Sequence, residues 1–433
     1  MGYAEATAYL DALGVDAMKK LAPSTHRIEA LCDLLDNPER AIPAIHITGT
    51  NGKSSTARIA TGILAAAGLS VATYTSPHLS SVRERLARDG TPIDEEGFAE
   101  LFDHVKPYVD AVEARLGESI SYFELLTAMF YLWAAEAPVD AVVVEVGLGG
   151  RWDATNVLTS SIPVITNIGL DHTAQLGPDR VSIAKEKVGI VKQGSTLVTA
   201  ERDPKILEVF ASEGAASVAA LGRDFEVLED RIAIGGRYLS LISSGGTYEG
   251  LFLPLHGAHQ AVNAATALEA VTRFIPARKL SHDVVLEGLA RTTASGRMET
   301  IVTDRTPAPV VLDVAHNPDG MSMMVTALIE AFAFERVIYV FGALQDKDHR
   351  GMLAEIARTD ATIVATEARS ARSVPPDDIA KVSVDLGLGA EIAGDVDDAL
   401  DVAMDLVGEN DLICVTGSHY VVGEARDLLL ASP

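Results

Sequence analysis

The residues with the most chemical content stand in H-I-T-G-T-N-G-K-S-S-T, His46 to Thr56. An apolar run, A-I-P-A-I-H-I-T, leads into it, and the helical pattern S-T-A-R-I-A-T-G-I-L-A-A-A-G leads out, stopping at Gly68. Strand, glycine-rich turn, lysine, hydroxyls and helix follow one another in the order that cradles a phosphate. Glycines let backbone N–H groups wrap the anion, the helix N-terminus adds partial positive charge, and Lys53 adds a full one. Ser54 is placed to meet a divalent cation or a phosphate oxygen. The common Walker spacing asks for glycine at position 47, where Ile47 stands; here the first glycine is Gly49.

Three further groups could share that site. In V-V-V-E-V-G-L-G-G-R-W-D-A-T-N (Val142 to Asn156), Glu145 ends an apolar strand, where open α/β sheets place their ligands. A carboxylate there needs a partner, and a divalent metal is the obvious one. Gly147, Gly149 and Gly150 suggest a dinucleotide fingerprint only weakly, because the full G-x-G-x-x-G spacing is absent. I-T-N-I-G-L-D-H-T-A-Q-L-G (Ile165 to Gly177) presents Asp171 and His172 after another buried run. S-I-A-K-E-K-V-G-I-V-K-Q-G (Ser182 to Gly194) holds Lys185, Glu186 and Lys187, which alone would read as a solvated helix face. A short helix joins these last two motifs and brings Lys187 within reach of His172. Near metal and phosphate a lysine loses basicity, and its neutral amine can add CO₂ to become a carboxylate-like carbamate.

The elements that must position these groups follow a βαβ rhythm. Val139–Val146 and Ile162–Ile168 read as buried parallel strands with helical patterns between them, which implies an open, mostly parallel α/β sheet. From about 224 to 255 the pattern changes to short alternating segments broken by paired glycines, a small β excursion. Helical stretches follow at Ala258–Phe274 and near Ser281–Ala290, then a polar segment, Thr292–Arg297, expected to link two domains. The rhythm restarts with strands beginning at Pro309, Arg336, Ala361 and Asp411. The expected organisation is a P-loop-type domain over 1–296 and a smaller Rossmann-like α/β domain over 297–433.

Composition bounds the partners. The 433 residues include 61 acidic and 35 basic side chains, a net charge of −26. A nucleic-acid backbone or an anionic membrane surface calls for the opposite balance. Two cysteines, Cys32 and Cys414, exclude a disulfide framework and fit a reducing, cytoplasmic setting. No run approaches the ~18 apolar residues of a membrane span. The first residues lack a signal pattern, and Ala6 stands where a myristoylation motif wants Ser or Thr.

Taken together, the motifs resemble the folylpolyglutamate synthase/dihydrofolate synthase family of the Mur-ligase superfamily. They are T-G-T-N-G-K at Thr48, Y-T-S-P-H-L at Tyr74, S-Y-F-E at Ser121, E-V-G-L-G-G-R-W-D-A-T-N at Glu145, T-N-I-G-L-D-H-T-A-Q-L-G at Thr166 and A-K-E-K-V-G-I at Ala184. Then come H-Q-A-V-N-A-A-T-A-L at His259, S-G-R-M-E at Ser295, L-D-V-A-H-N-P-D-G at Leu312 and G-A-L-Q-D-K-D at Gly342. They run in the family's order over essentially the whole chain. Departures are Ser54 where the family usually has Gly or Thr, Ser295 where Pro is common, and Trp152 in place of a common Leu.

The resemblance implies an ATP-dependent acid–amino-acid ligase that joins L-glutamate to dihydropteroate and to reduced folates through an acyl phosphate. Thr50, Asn51, Gly52, Lys53, Ser54 and Ser55 would hold the ATP phosphates. Asn263 and Arg297 would contact the nucleotide, with Asp313 reaching it from the second domain. Ser76 and Glu145 would take one Mg²⁺ and His172 a second, beside a carbamylated Lys187; a monovalent cation is a further candidate. Ser121, Tyr122, Phe123, Glu124, Trp152, Asp153 and Ala154 would line the pteroate or folate site. Lys53, Lys187, Asp313 and His316 would serve catalysis, His316 also positioning glutamate. A hinge near Ser295 would close the site over the acyl phosphate. The expected partners are these small molecules only, and the expected state is a monomer. The alternatives are a synthase with one of the two activities, a peptidoglycan amino-acid ligase, which typically carries a further N-terminal domain, a non-catalytic nucleotide switch and a nicotinamide oxidoreductase.

Overall fold

The computed structural model describes residues 2–14 and 23–431. They form two compact units, one from Met1–Asp230, Leu239–Leu253 and Ala261–Thr292, the other from Arg231–Tyr238, Pro254–Gln260 and Thr293–Pro433.

The first unit is built on eight strands: β1 (Ala44–Thr48), β2 (Val71–Tyr74), β3 (Leu86–Arg88), β4 (Thr91–Pro92), β5 (Ala141–Glu145), β6 (Ile162–Ile165), β7 (Thr196–Thr199) and β8 (Ser217–Ala220). Their order in the sheet is β4-β3-β2-β5-β1-β6-β7-β8. From β2 to β8 every pairing is parallel, and only β3 and β4 run antiparallel at one edge. The centre, β5-β1-β6, is buried along its whole length, which is why its residues read as continuous apolar runs. Register sets the chemistry: Ile47 lies opposite Glu145, so the phosphate-loop turn and the Glu145 carboxylate leave neighbouring strands at the same level.

Helices cover this sheet. Tyr122–Glu136 packs Leu125, Met129 and Phe130 into a fully buried core. Truncating such a ring would cost about 3–5 kcal/mol. Behind the phosphate-loop turn, Lys53–Ala66 meets His282–Ala290 where Gly62 faces Gly288, and a Cβ on either would strike the other's backbone. That contact fixes the axis of the helix whose N-terminus faces the site.

Strands β9 (Glu226–Ala233), β10 (Gly236–Ser243) and β11 (Gly246–Leu253) form a separate three-stranded sheet, followed by the helix Ala258–Phe274.

The second unit holds β12 (Glu299–Ile301), β13 (Val310–Leu312), β14 (Val337–Phe341), β15 (Ala361–Ala365), β16 (Gly389–Ile392) and β17 (Leu412–Thr416), ordered β12-β13-β17-β14-β15-β16. All pairs are parallel except β12 with β13. Its core joins Val311, Tyr339, Phe341, Ile363 and Cys414. The molecule is thus mixed α/β with two mostly parallel sheets, as the motif rhythm requires. Among the described residues no helix is long and apolar enough to cross a membrane.

Candidate active site

The turn after β1 is pinned from all sides. Thr50 N–H donates to the Asn167 carbonyl at 3.0 Å and Asn51 N–H to Asn167 Oδ1 at 3.0 Å. Thr50 Oγ1 accepts from Gly169 N–H at 2.9 Å, and Thr166 Oγ1 donates to the Asn51 carbonyl at 2.6 Å. Gly52 sits at φ 82°, and a Cβ there would overlap the Asn263 side-chain amide. Asn263, expected at the nucleotide, therefore lies against the phosphate loop. Asn167, in the T-N-I-G motif, holds the turn through both its carbonyl and its side chain, and its sequence signal is an asparagine directly after a strand-end threonine.

Two lysines converge on this turn. Lys53 Nζ donates to the carbonyls of Gly49 and Thr50, each at 3.1 Å, and Lys187 Nζ donates to the Gly49 carbonyl at 2.8 Å. Lys187 is 5% exposed. Burial, and then the Lys53 charge, lower its pKa to about 7, with Asp171 pulling the other way. An amine so placed is largely deprotonated in mildly basic water.

The hydroxyl and carboxylate groups gather at the neighbouring strand ends. Glu145, 1% exposed, accepts from Ser54 Oγ at 2.8 Å and from Ser76 N–H at 3.1 Å. Ser54, Ser76 and Glu145 are thus brought together. These are hard oxygen donors of the kind Mg²⁺ takes, and that ion is commonly held by one or two carboxylates plus substrate phosphates. Among the described residues no three His, Cys, Asp or Glu side chains form a cage of their own. His172 adopts φ 51° at the start of the short helix Thr173–Leu176, with Nε2 3.8 Å from Asp171 Oδ2.

The glycines of the loop after β5 are packing devices. Gly149 and Gly150 lie against Glu186 and Lys187, so any Cβ would meet that helix, and Arg151 N–H donates to the Glu186 carbonyl at 3.0 Å. The loop and the helix bearing Lys187 are one assembly. This explains the missing dinucleotide spacing.

The polar residues of the expected substrate wall make hydrogen bonds within the protein. Ser121 and Glu124 form a capping box: Ser121 Oγ accepts from Glu124 N–H at 3.2 Å, and Glu124 Oε2 accepts from Ser121 N–H at 2.9 Å. Glu124 also pairs with buried Arg27, Nε to Oε1 at 3.1 Å. Their polar atoms start a helix and satisfy a buried charge. Asp153 is likewise occupied, accepting from Leu148 N–H at 2.9 Å and Thr155 N–H at 3.0 Å; burial raises its pKa against those bonds. Ala154 is buried at the head of a 3-10 turn. What remains is aromatic: the ring of Phe123, which stands over Gly147, Tyr122 beside it, and Trp152, 47% exposed.

In the second unit, Asp313 ends β13 and accepts from Met298 N–H at 3.0 Å and Ala315 N–H at 2.9 Å. Burial raises its carboxyl pKa, and neighbouring Arg297 opposes that. Asn317, not Asp313, caps the next helix, Pro318–Ala331. His316 Nδ1–H donates to the Val314 carbonyl at 2.9 Å, and its ring lies 5.1 Å from that of His419. Asp313, Arg297 and His316 therefore share one strand end, joined by His419, for which no sequence motif supplied a role.

Comparison with known proteins places this geometry. Residues 47–271 match the Mur ligase middle domain, and residues 296–419 match the Mur ligase glutamate ligase domain. The dihydrofolate synthase/folylpolyglutamate synthase of Mycobacterium tuberculosis is 38% identical, the match covering 96% of this chain and 91% of that one. The structure of Mycobacterium tuberculosis folylpolyglutamate synthase complexed with ADP superposes with a TM-score of 0.92 at 37% identity, over 99% of this chain and 98% of that one. That of E. coli FolC in complex with DHPP and ADP gives 0.87 at 29% identity, over 100% and 98%. The chain belongs to the dihydrofolate synthase/folylpolyglutamate synthase family of Mur ligases and is an ATP-dependent, amide-forming ligase.

Proposed function

We propose that the chain joins L-glutamate both to dihydropteroate and to reduced folates, driving each ligation with ATP through an acyl phosphate. The carrying observation is that Glu145 receives Ser54 from the phosphate loop and Ser76 from the S-P-H-L turn on one carboxylate. Phosphate-holding and substrate-facing segments thus meet at a single point. The relatives that bear both activity names, and the E. coli structure whose ligands are DHPP and ADP, support the same reading.

Thr50, Asn51, Gly52, Lys53, Ser54 and Ser55 bind the ATP phosphates, the lysine turning from the loop carbonyls toward the anion. Asn263, Arg297 and Asp313 contribute to nucleotide binding. Ser76 and Glu145 would hold one Mg²⁺ and His172 a second. Bound there, Mg²⁺ would neutralise phosphate charge. Tyr122, Phe123 and Trp152 offer flat apolar surface to the pteridine and benzoyl rings. The substrate carboxylate attacks the γ-phosphorus of ATP and ADP leaves. The amine of glutamate, positioned with the help of His316, then attacks the acyl carbon and expels phosphate. Lys187, carbamylated on its neutral amine, acts as an anion beside Lys53. Dihydropteroate and a reduced folate, each offered with ATP and glutamate, test the dual activity. Both should give glutamate-dependent ADP release, and activity with only one would reduce the proposal to a single synthase.

A further inference from the structure

Arg85 closes the 3-10 turn Val82–Arg85 that follows the S-P-H-L segment, and it is 4% exposed. Its Nε–H donates to His78 Nδ1 at 3.0 Å, and its guanidinium carbon stands 5.2 Å from the centre of the Tyr122 ring. Arginine keeps its charge at every relevant pH and offers five N–H donors. Among the described residues no carboxylate lies within ion-pairing distance of this one, and its terminal nitrogens donate no hydrogen bond to protein. Buried charges are ordinarily paired.

The carboxylates nearby are committed elsewhere. Glu84, next in the chain, accepts from Leu79 N–H, Ser80 N–H and Ser81 N–H at 2.9–3.0 Å. Glu124 pairs with Arg27, and Asp153 caps its own turn. His78 adds to the local donors: with Nδ1 accepting from arginine, the neutral ring carries its proton on Nε2.

We infer that Arg85, with His78 orienting it, is the receptor for a carboxylate of the pteroyl substrate. The inference rests on the proposed substrate class and names the group that selects it. A planar guanidinium meets a carboxylate with two parallel hydrogen bonds, strongest where water is thin. It is anchored against Tyr122 on the aromatic wall and belongs to the same turn as Ser76, so a carboxylate held there is carried by a ligand whose rings lie on that wall. Arg85 is a binding residue in this assignment: it orients the carboxylate, and an oxygen lone pair not used by the guanidinium remains for attack on the γ-phosphorus.

The test measures equilibrium binding of dihydropteroate and of its carboxamide to the full chain without ATP. The wild type should bind the acid at least about tenfold more tightly than the amide, as expected for a charge-assisted pair. Arg85→Gln should weaken the acid about 10- to 100-fold and the amide less than about threefold, with Arg85→Lys between. It should raise the KM for dihydropteroate and leave that for ATP unchanged. Equal wild-type affinity for acid and amide would overturn the assignment even if no variant folds, as would equal losses for both ligands in Arg85→Gln. Wild-type protein that binds neither ligand would instead remove the substrate reading on which the assignment stands.

Discussion

Lys53 and Lys187 donate to the same oxygen, the carbonyl of Gly49, at 3.1 and 2.8 Å. Two amines on one acceptor cannot both hold their full charge comfortably in a buried site, and the more buried Lys187 gives way, its pKa falling to about 7. The arrangement leaves a cation and a largely neutral amine side by side at the turn.

That division has a signature in stability. The pKa of Lys187 lies near 7 in the fold and near 10.5 in the unfolded chain. Between those values the unfolded chain binds a proton that the fold refuses, so stability rises with pH across that window. Lys187→Met should therefore melt higher than wild type below pH 7, with the gap closing toward pH 10.5. Melting curves in CO₂-free buffer would show it, and a gap independent of pH would argue against a neutral Lys187. Catalysis should be lost in the same variant.

The carbamate itself is expected only when CO₂ is present. Protein equilibrated with ¹³C-bicarbonate should give one carbamate carbon resonance that Lys187→Met lacks, and turnover should fall in CO₂-depleted buffer. Unchanged turnover and no resonance would leave Lys187 as an amine.

At the phosphate loop, Lys53→Ala should lower ADP release by at least about 100-fold, the usual loss when one donor to a developing charge is removed. A rate near wild type would displace the ATP site from this turn.

Glu145→Gln removes the charge and keeps the shape, but its single amide oxygen accepts from Ser54 or from Ser76, not from both. The Mg²⁺ concentration for half-maximal rate should rise about tenfold or more. An unaltered Mg²⁺ dependence would exclude Glu145 as a ligand.

Arg27→Met leaves the Glu124 carboxylate buried beneath the substrate wall without its strongest partner. Urea denaturation should register a loss of about 3–5 kcal/mol. Adding Glu124→Gln should recover part of it, because the uncompensated charge is then gone. Additive losses would mean that the pair is not coupled.

Much of this was legible before the structure. The central strands β1, β5, β6, β13, β14, β15 and β17 announced themselves as apolar runs because they are buried along nearly their whole length, whereas edge strands such as β4 and β16 are exposed and gave no such run. The phosphate loop was legible because backbone geometry forces glycine at 49 and 52. Individual side-chain jobs were less so. Ser121 and Glu124 read as substrate contacts from the resemblance, yet S-x-x-E before an apolar run is also a capping box, and the partner Arg27, 97 residues away, was not legible at all. Arg85 gave no signal, since a charged residue in R-E-R reads as surface until the fold buries it. Gly149 and Gly150 looked like ligand-binding glycines because sequence cannot show the helix that presses on them.

The central claim, that a pteroyl carboxylate is activated as an acyl phosphate, is tested most directly with dihydropteroate labelled with ¹⁸O in its carboxylate. Attack of that carboxylate on ATP and later expulsion of phosphate must carry one labelled oxygen into the released inorganic phosphate for each amide formed. Labelled phosphate in step with the glutamylated product is the predicted result. Amide formed with unlabelled phosphate would contradict it.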